Sequence, residues 1–372
     1  MKYFIIAGEV SGDVHAASLV EQIRARDAEA QFAGLGGDRM VAANVRIYRH
    51  IRKMAFMGIA AVLSRWKDVL DNIRITREAL LSEQPDVLIL IDYPSFNLQM
   101  AAFCRKRLPG TKIVYYIPPK VWAWKKRRIH KIARLCDEVL GIFPFEPEFY
   151  ARYGYKCTYV GHPTVEETEE QLRVGNLKLK AGSQEPYIAI LPGSRPSEIK
   201  NCLPRMLEAA RRFDGYKRVV CAAPAVKDEF YAPYLCDGEE LTRDTYAAVC
   251  QASAAIVNSG TATLETALLQ CPQVAVYHLA CSGLINMVRR PLQPVFFSIP
   301  YFTPVNIIAN EEVIREFLAN DFTAENVAAE LQRLLTDEDY TKKMRASYAH
   351  LSQLLGSQSA SATAAGIITG KP

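Results

Sequence analysis

The feature that most restricts this chain is an alternation of short, wholly apolar runs with longer segments whose apolar residues recur every three or four positions. Residues 3–7, 87–91, 112–117, 138–142 and 158–160 read as strands, and residues 13–28, 61–83, 96–108 and 125–135 as amphipathic helices. Strands such as Val87-Leu88-Ile89-Leu90-Ile91 have no polar face, so both of their sides are covered. That is the grammar of a parallel sheet wrapped by helices, an α/β fold.

The alternation breaks between Pro163 and Pro186, where Glu166, Glu167, Glu169 and Glu170 stand near Gly175, Lys178, Lys180, Gly182 and Ser183. It restarts with strands over 187–191, 218–222, 255–258 and 273–277. Two Rossmann-like domains are therefore expected, residues 1–163 and 187–340, facing each other across a cleft, with 164–186 as a linker plus a solvated helical turn. Helical patterns run over 311–355, and 341–372 forms a closing helix followed by a Ser/Ala-rich tail with no assigned structure. A length of 372 residues suits this division.

Composition removes several functions. With 49% hydrophobic and 23% charged residues the chain is neither disordered nor collagen-like. A net charge of +5 is too weak for a nucleic-acid partner, yet compatible with phosphorylated ligands or an anionic membrane surface. Nine cysteines without C-x-x-C suggest reduced core thiols. The first apolar run meets Glu9 and Asp13 too soon for a signal peptide, and none is long enough to span a bilayer, so a cytoplasmic protein is expected. The six histidines lack metal-binding spacing, and Asp337-Glu338-Asp339 reads as a helix start; no metal or cofactor is expected.

In open parallel sheets, ligands bind beyond the carboxyl ends of the strands. The first such loop, Gly8-Glu9-Val10-Ser11-Gly12-Asp13, is not G-x-G-x-x-G. Its Glu9 can accept hydroxyl hydrogen bonds from a sugar, and Ser11 or Asp13 can cap the next helix; a plain capped turn is the alternative. Asp92 ends an all-apolar strand in Asp92-Tyr93-Pro94-Ser95-Phe96-Asn97, where poor solvation raises its pKa and suits it to act as general base, unless it caps the next helix. Tyr115 to Trp124 carries Trp122 and Trp124 outside any period, either a ligand platform or a buried plug, with the Lys125 to Arg128 run behind it to meet a phosphate.

The second half supplies two loops for a nucleotide diphosphate. Leu191-Pro192-Gly193-Ser194-Arg195-Pro196-Ser197-Glu198 sets glycine, serine and a bidentate arginine at a helix start. Ser259-Gly260-Thr261 repeats the theme, and Glu265, one turn beyond Thr261, can take both ribose hydroxyls. A stripe of Met54, Phe56, Met57, Ile59, Val62, Leu63 and Trp66, mixed with Arg65 and Lys67, fits either a lipid interface or core.

Taken in order, A-G-E-V-S-G-D (7–13), M-G-I (57–59), D-Y-P-S-F-N (92–97), V-W-A-W (121–124), F-P-F-E (143–146), V-G-H-P (160–163), L-P-G-S-R (191–195) and S-G-T-A-T-L-E (259–265) resemble the lipid-A-disaccharide synthase family over nearly the whole chain. The resemblance implies a GT-B glycosyltransferase joining UDP-2,3-diacylglucosamine to 2,3-diacylglucosamine 1-phosphate, inverting and metal-independent, at the cytoplasmic face of the inner membrane of Gram-negative bacteria. Asp92 or Glu9 would be catalytic, and Gly193, Ser194, Arg195, Glu198, Ser259, Gly260, Thr261, Glu265 and Asn306 would line the nucleotide. Ser11, Gly12, Asn97, Trp122 and Trp124 would bind substrate, and Met57, Ile59, Val62, Leu63 and Trp66 would touch the membrane. It also implies a homodimer able to exchange C-terminal segments.

Three departures stand out. Pro118-Pro119-Lys120 replaces the family's Ser or Gln and Pro before V-W-A-W, Pro304-Val305-Asn306 replaces Leu-Pro-Asn, and 289–300 is longer and richer in proline. The rival readings are a UDP-sugar 2-epimerase-like enzyme of the same fold, which would act on a soluble sugar nucleotide, and a catalytically silent lipid-binding protein.

Overall fold

The computed structural model describes residues 1–54, 66–123, 126–175, 185–278 and 300–371. The chain divides into two compact units, one of Met1–Pro163 with Gln358–Pro372 and one of Thr164–Ser357.

The first unit holds a parallel sheet of β1 (Lys2–Ala7), β2 (Gln31–Gly36), β3 (Arg46–His50), β4 (Val87–Ile91), β5 (Lys112–Tyr116), β6 (Glu138–Gly141) and β7 (Thr158–Tyr159) in the order β3-β2-β1-β4-β5-β6-β7. The second holds β8 (Tyr187–Leu191), β9 (Lys217–Cys221), β10 (Glu239–Thr242), β11 (Ala254–Asn258), β12 (Gln273–Tyr277) and β13 (Glu316–Leu318), also parallel, in the order β10-β9-β8-β11-β12-β13. Each order reverses between its first and fourth strands, which makes both sheets doubly wound. The central strands β4, β8 and β11 are buried throughout, because helices cover both faces. Burying one such Val, Leu or Ile side chain contributes roughly 1.5–3 kcal/mol.

The alternation in the sequence leaves out β2, β3, β10 and β13. β3 and β10 lie at sheet edges and carry charged, half-exposed residues, while β13 is only three residues long. It interrupts the stretch over 311–355, whose helices are Ala324–Thr336 and Glu338–Leu355. Asp337 caps the latter, accepting from the Tyr340 N–H at 3.0 Å.

Two expectations need correction. The helical turn expected in the linker is a full helix of 12 residues, Pro163–Val174. The Ser/Ala-rich tail is also a helix, Ala360–Thr369: Ser359 caps it through the Ala362 N–H at 3.1 Å, and left-handed Gly370 ends it. Its small buried residues Ala360, Ser361, Ala364 and Ala365 let it pack closely on the Val10–Arg26 helix, so it completes the first unit. Among the described residues no helix is long and apolar enough to cross a membrane, and no disulfide forms.

Candidate active site

Every loop singled out by sequence lies at a carboxyl end of a strand, and the two that flank each reversal of strand order come together at one switch point per sheet. In the first unit these are Gly8-Glu9, after β1, and Asp92, after β4.

The Val10–Arg26 helix starts with Glu9 at its N-cap position, extended (φ −136°) and making no capping bond with its side chain. Ser11 is exposed on the first turn, whereas Gly12 is buried against Ala7 and Ile91 and serves packing. Asp13 does not cap its own helix. Its buried carboxylate accepts from the N–H groups of Gly37 (2.6 Å), Arg39 (3.0 Å) and Met40 (3.1 Å), capping the short Asp38–Ala42 helix beyond β2. This link across more than twenty residues ties two strand-end loops together.

Asp92 does not cap the next helix either. Tyr93 occupies the N-cap position of Pro94–Arg107, and both Asp92 and Tyr93 are left-handed, each at φ +44°. The Asp92 carboxyl is held above the usual carboxylate range, first by desolvation and then by neighbouring Glu9; Lys120 and the Tyr93 N–H oppose that shift. Lys120, exposed like Asp92, lies over the Phe143 ring at 5.4 Å, and desolvation lowers its ammonium pKa against the pull of Asp92 and Glu146. Both side chains remain accessible, so crowding at the strand ends rather than full enclosure disfavours their charges. Lys120 is a further candidate site residue: the sequence reading left it without a role, although its departure from the family pattern marked it.

Trp122 is corrected from ligand contact to buried plug. Its Nε1–H donates to Glu146 at 3.1 Å, and its ring meets Phe143 and Phe145 edge-on at 5.2 and 5.0 Å. Glu146 also accepts from the Ile142 and Phe143 N–H groups, at 2.9 and 3.0 Å, and burial pushes its pKa up to about 7. His162, buried beside Lys120 and His15, is pushed down to about 3 and is neutral. Asn97 is likewise buried and bonded to backbone carbonyls, so it braces the loop rather than contacting substrate.

In the second unit the switch point joins the ends of β8 and β11. Gly193 has φ +115°, and a Cβ there would meet Asn258 Nδ2 and Glu198 Oε2 at 2.7 Å each. The Glu198 carboxylate folds back over the start of the Pro196–Ala210 helix, accepting from Ser194 N (2.9 Å), Arg195 N (3.3 Å) and the Arg195 guanidinium (2.8 Å). Arg195 is half exposed. The loop thus already gathers its donors around an anion, here the chain's own carboxylate.

Ser259, whose N–H donates to Val276 O at 2.8 Å, and exposed Gly260 and Thr261 lead into the Thr261–Leu268 helix. Glu265 lies one turn on, its pKa pushed up to about 7 by burial and by Glu167. Asn306 is corrected to a bracing residue: fully buried, it donates to Ile314 O (2.8 Å) and accepts from the N–H groups of Val313 (2.9 Å) and Ile314 (3.0 Å). Trp124, Met57, Ile59, Val62 and Leu63 lie outside the described residues; Trp66 opens the Trp66–Glu83 helix.

The family model for lipid-A-disaccharide synthetase matches residues 3–368. The chain belongs to that family. The lipid-A-disaccharide synthase of Trichlorobacter lovleyi is 35% identical over 99% of this chain and 96% of its own length. In fold the chain is similar to a putative UDP-N-acetylglucosamine 2-epimerase from Listeria monocytogenes, with TM-score 0.60, 13% identity, and 99% of this chain and 94% of that one covered. A glycosyltransferase of kitacinnamycin gives TM-score 0.63 and 11% identity over 99% and 98% of the two chains. These likenesses establish the GT-B fold; membership of the lipid-A-disaccharide synthase family makes the protein a glycosyltransferase of lipid A biosynthesis.

Proposed function

We propose that the protein transfers the 2,3-diacylglucosamine unit of UDP-2,3-diacylglucosamine to the 6-hydroxyl of 2,3-diacylglucosamine 1-phosphate, with inversion and without a metal. The observation that carries this reading is the Asp92 carboxyl at the first switch point, accessible, raised in pKa and set between Glu9 and Lys120. In the proposed step Asp92 takes the hydroxyl proton as that oxygen attacks the donor's anomeric carbon. The bond from that carbon to the diphosphate breaks, and UDP leaves with its electron pair. Arg195 and the helix starts at Pro196 and Thr261 receive the charge on the departing diphosphate, with Arg195 exchanging its Glu198 partner for phosphate oxygens. Glu265 holds the ribose. Membrane association through the stripe around Met57 to Trp66, and a homodimer with exchanged C-terminal segments, belong to the same reading.

Purified protein given both lipid substrates in detergent with EDTA should release UDP only when the acceptor is present. Asp92→Asn should lower that rate by about 10²–10⁴-fold while keeping the wild-type circular dichroism and melting curve. Wild-type rates in the variant would remove Asp92 as base; no acceptor-dependent release by the wild type would overturn the substrate assignment. Conversion of UDP-N-acetylglucosamine without any acceptor would favour the epimerase.

A further inference from the structure

Three non-glycine residues in the left-handed region cluster at adjoining strand ends: Asp92 and Tyr93 after β4, and Ile117 after β5 at φ +57°. Each such residue costs about 1–2 kcal/mol, and a β-branched one more, so the arrangement persists only where its surroundings enforce it. The enforcing bonds are specific. The Asp92 N–H donates to Ile117 O at 3.1 Å, and the Ile117 N–H donates to Leu140 O at 3.1 Å, which laces together the ends of β4, β5 and β6. The Asp92 carbonyl then receives two side-chain donors, Asn97 Nδ2 at 2.7 Å and the Tyr115 hydroxyl at 2.7 Å. Asn97 also donates to Ile91 O at 3.1 Å, and its own Oδ1 is buried without a partner. Leaving that oxygen unpaired is unfavourable, and the amide accepts the penalty in order to face two carbonyls.

We propose that Tyr115 and Asn97 are positioning residues for the transfer reaction: by gripping the Asp92 carbonyl they hold its peptide left-handed and so aim its carboxylate. The inference rests on the reading of Asp92 as base. Extended backbone at residue 92 would continue the strand's alternation and send the side chain elsewhere, whereas the left-handed turn takes it out of that alternation. Glycine would adopt this backbone more cheaply but has no carboxylate, which is why an aspartate here needs two buried clamps. Burial also keeps the Tyr115 hydroxyl protonated, so the clamp is a donor at every working pH.

The test is a double-mutant cycle of wild type, Tyr115→Phe, Asp92→Asn and the double variant. Acceptor-dependent UDP release is followed in single turnover with enzyme in excess, so that a rate about 10⁴-fold slower is still read. Tyr115→Phe should lower the wild-type turnover by about tenfold or more, with the KM of both substrates within about twofold and an unchanged melting curve. In the Asp92→Asn background the same change should have no further effect, because the group it aims is gone. An equal fractional loss in both backgrounds, or no loss in the single variant, overturns the proposal. Wild-type turnover in Asp92→Asn instead overturns the underlying base assignment, and is read before the cycle is closed. Should Tyr115→Phe melt below the assay temperature, Asn97→Ser takes its place in the cycle with the same expected pattern.

Discussion

The two sheets reverse their strand order in the same way, yet their switch points are built by opposite means. In the first unit the loops after β4 and β5 are forced into left-handed backbone at Asp92, Tyr93 and Ile117 and are held there by buried donors. In the second the turn after β8 relies on Gly193, and the loop after β11 runs through exposed Gly260 and Thr261, with backbone N–H groups and Arg195 gathered round a carboxylate. The contrast suits the tasks proposed for the two sites. A proton acceptor must be aimed to a fraction of an ångström, so strain there is worth its energy. A diphosphate spreads its charge over many oxygens and is held by many donors, so small residues and open backbone suffice.

Paired glycine substitutions test this contrast most severely. At Gly8 a Cβ would lie 2.4 Å from the Tyr93 ring, whose hydroxyl is tied to Met54 O, so the ring cannot easily yield. Gly8→Ala should therefore disturb the Asp92 turn, lowering turnover by about 10²-fold and stability by about 1–3 kcal/mol. Gly193→Ala should cost about 1–3 kcal/mol at its positive φ and weaken UDP binding by roughly tenfold, while leaving turnover at saturating donor nearly intact. Calorimetry with UDP and steady-state kinetics on both variants measure this; the reverse pattern would break the division of labour.

A finer probe is charge. Lys120 lowers the Asp92 pKa and Glu9 raises it. Lys120→Gln should thus move the acid limb of kcat/KM to higher pH, and Glu9→Gln should move it lower, with the alkaline rate little changed by either. Shifts in the same direction would mean that Asp92 is not the titrating base. The smallest expected effect concerns Glu265. Its pKa rises from 4.5 to about 7 on folding, so the folded state binds more protons across that window. Its contribution to stability is present below about 4.5, is lost as pH climbs to about 7, and changes no further above that. Glu265→Gln should make the difference between urea midpoints at pH 5 and pH 8 shallower, while Glu146 contributes slope of the same sign in that window and His162, neutral in the folded state, slope of the opposite sign below about 6.5.

The sequence made the centre of each sheet legible and left its edges obscure. Val87–Ile91 is unmistakable because both faces are buried, whereas Arg46–His50 and Glu239–Thr242 are polar edge strands recognisable only once their neighbours are in place. The candidate loops were legible as strand-end turns because glycine, arginine and acid residues there follow directly on wholly apolar runs. Roles that depend on distant partners were not. Asp13 reads as a cap for its own helix, but the donors it serves lie more than twenty residues away. Asn306 and Trp122 carry polar groups suited to ligands, and the structure turns those groups inward to Ile314 and Glu146.

The Ala360–Thr369 helix has a consequence for the order of assembly. It packs on the Val10–Arg26 helix, and thus belongs to the unit that is synthesised first, although the whole of the second unit lies between them in the chain. A nascent chain emerging from the ribosome can form all seven strands of the first sheet long before their final covering helix exists. During that interval the face of Val10–Arg26 that will receive the small residues of that helix is open to water and to any other chain that carries the same helix. The first unit is therefore the earlier to begin folding and the later to finish, and its completion reports that the second has already been made.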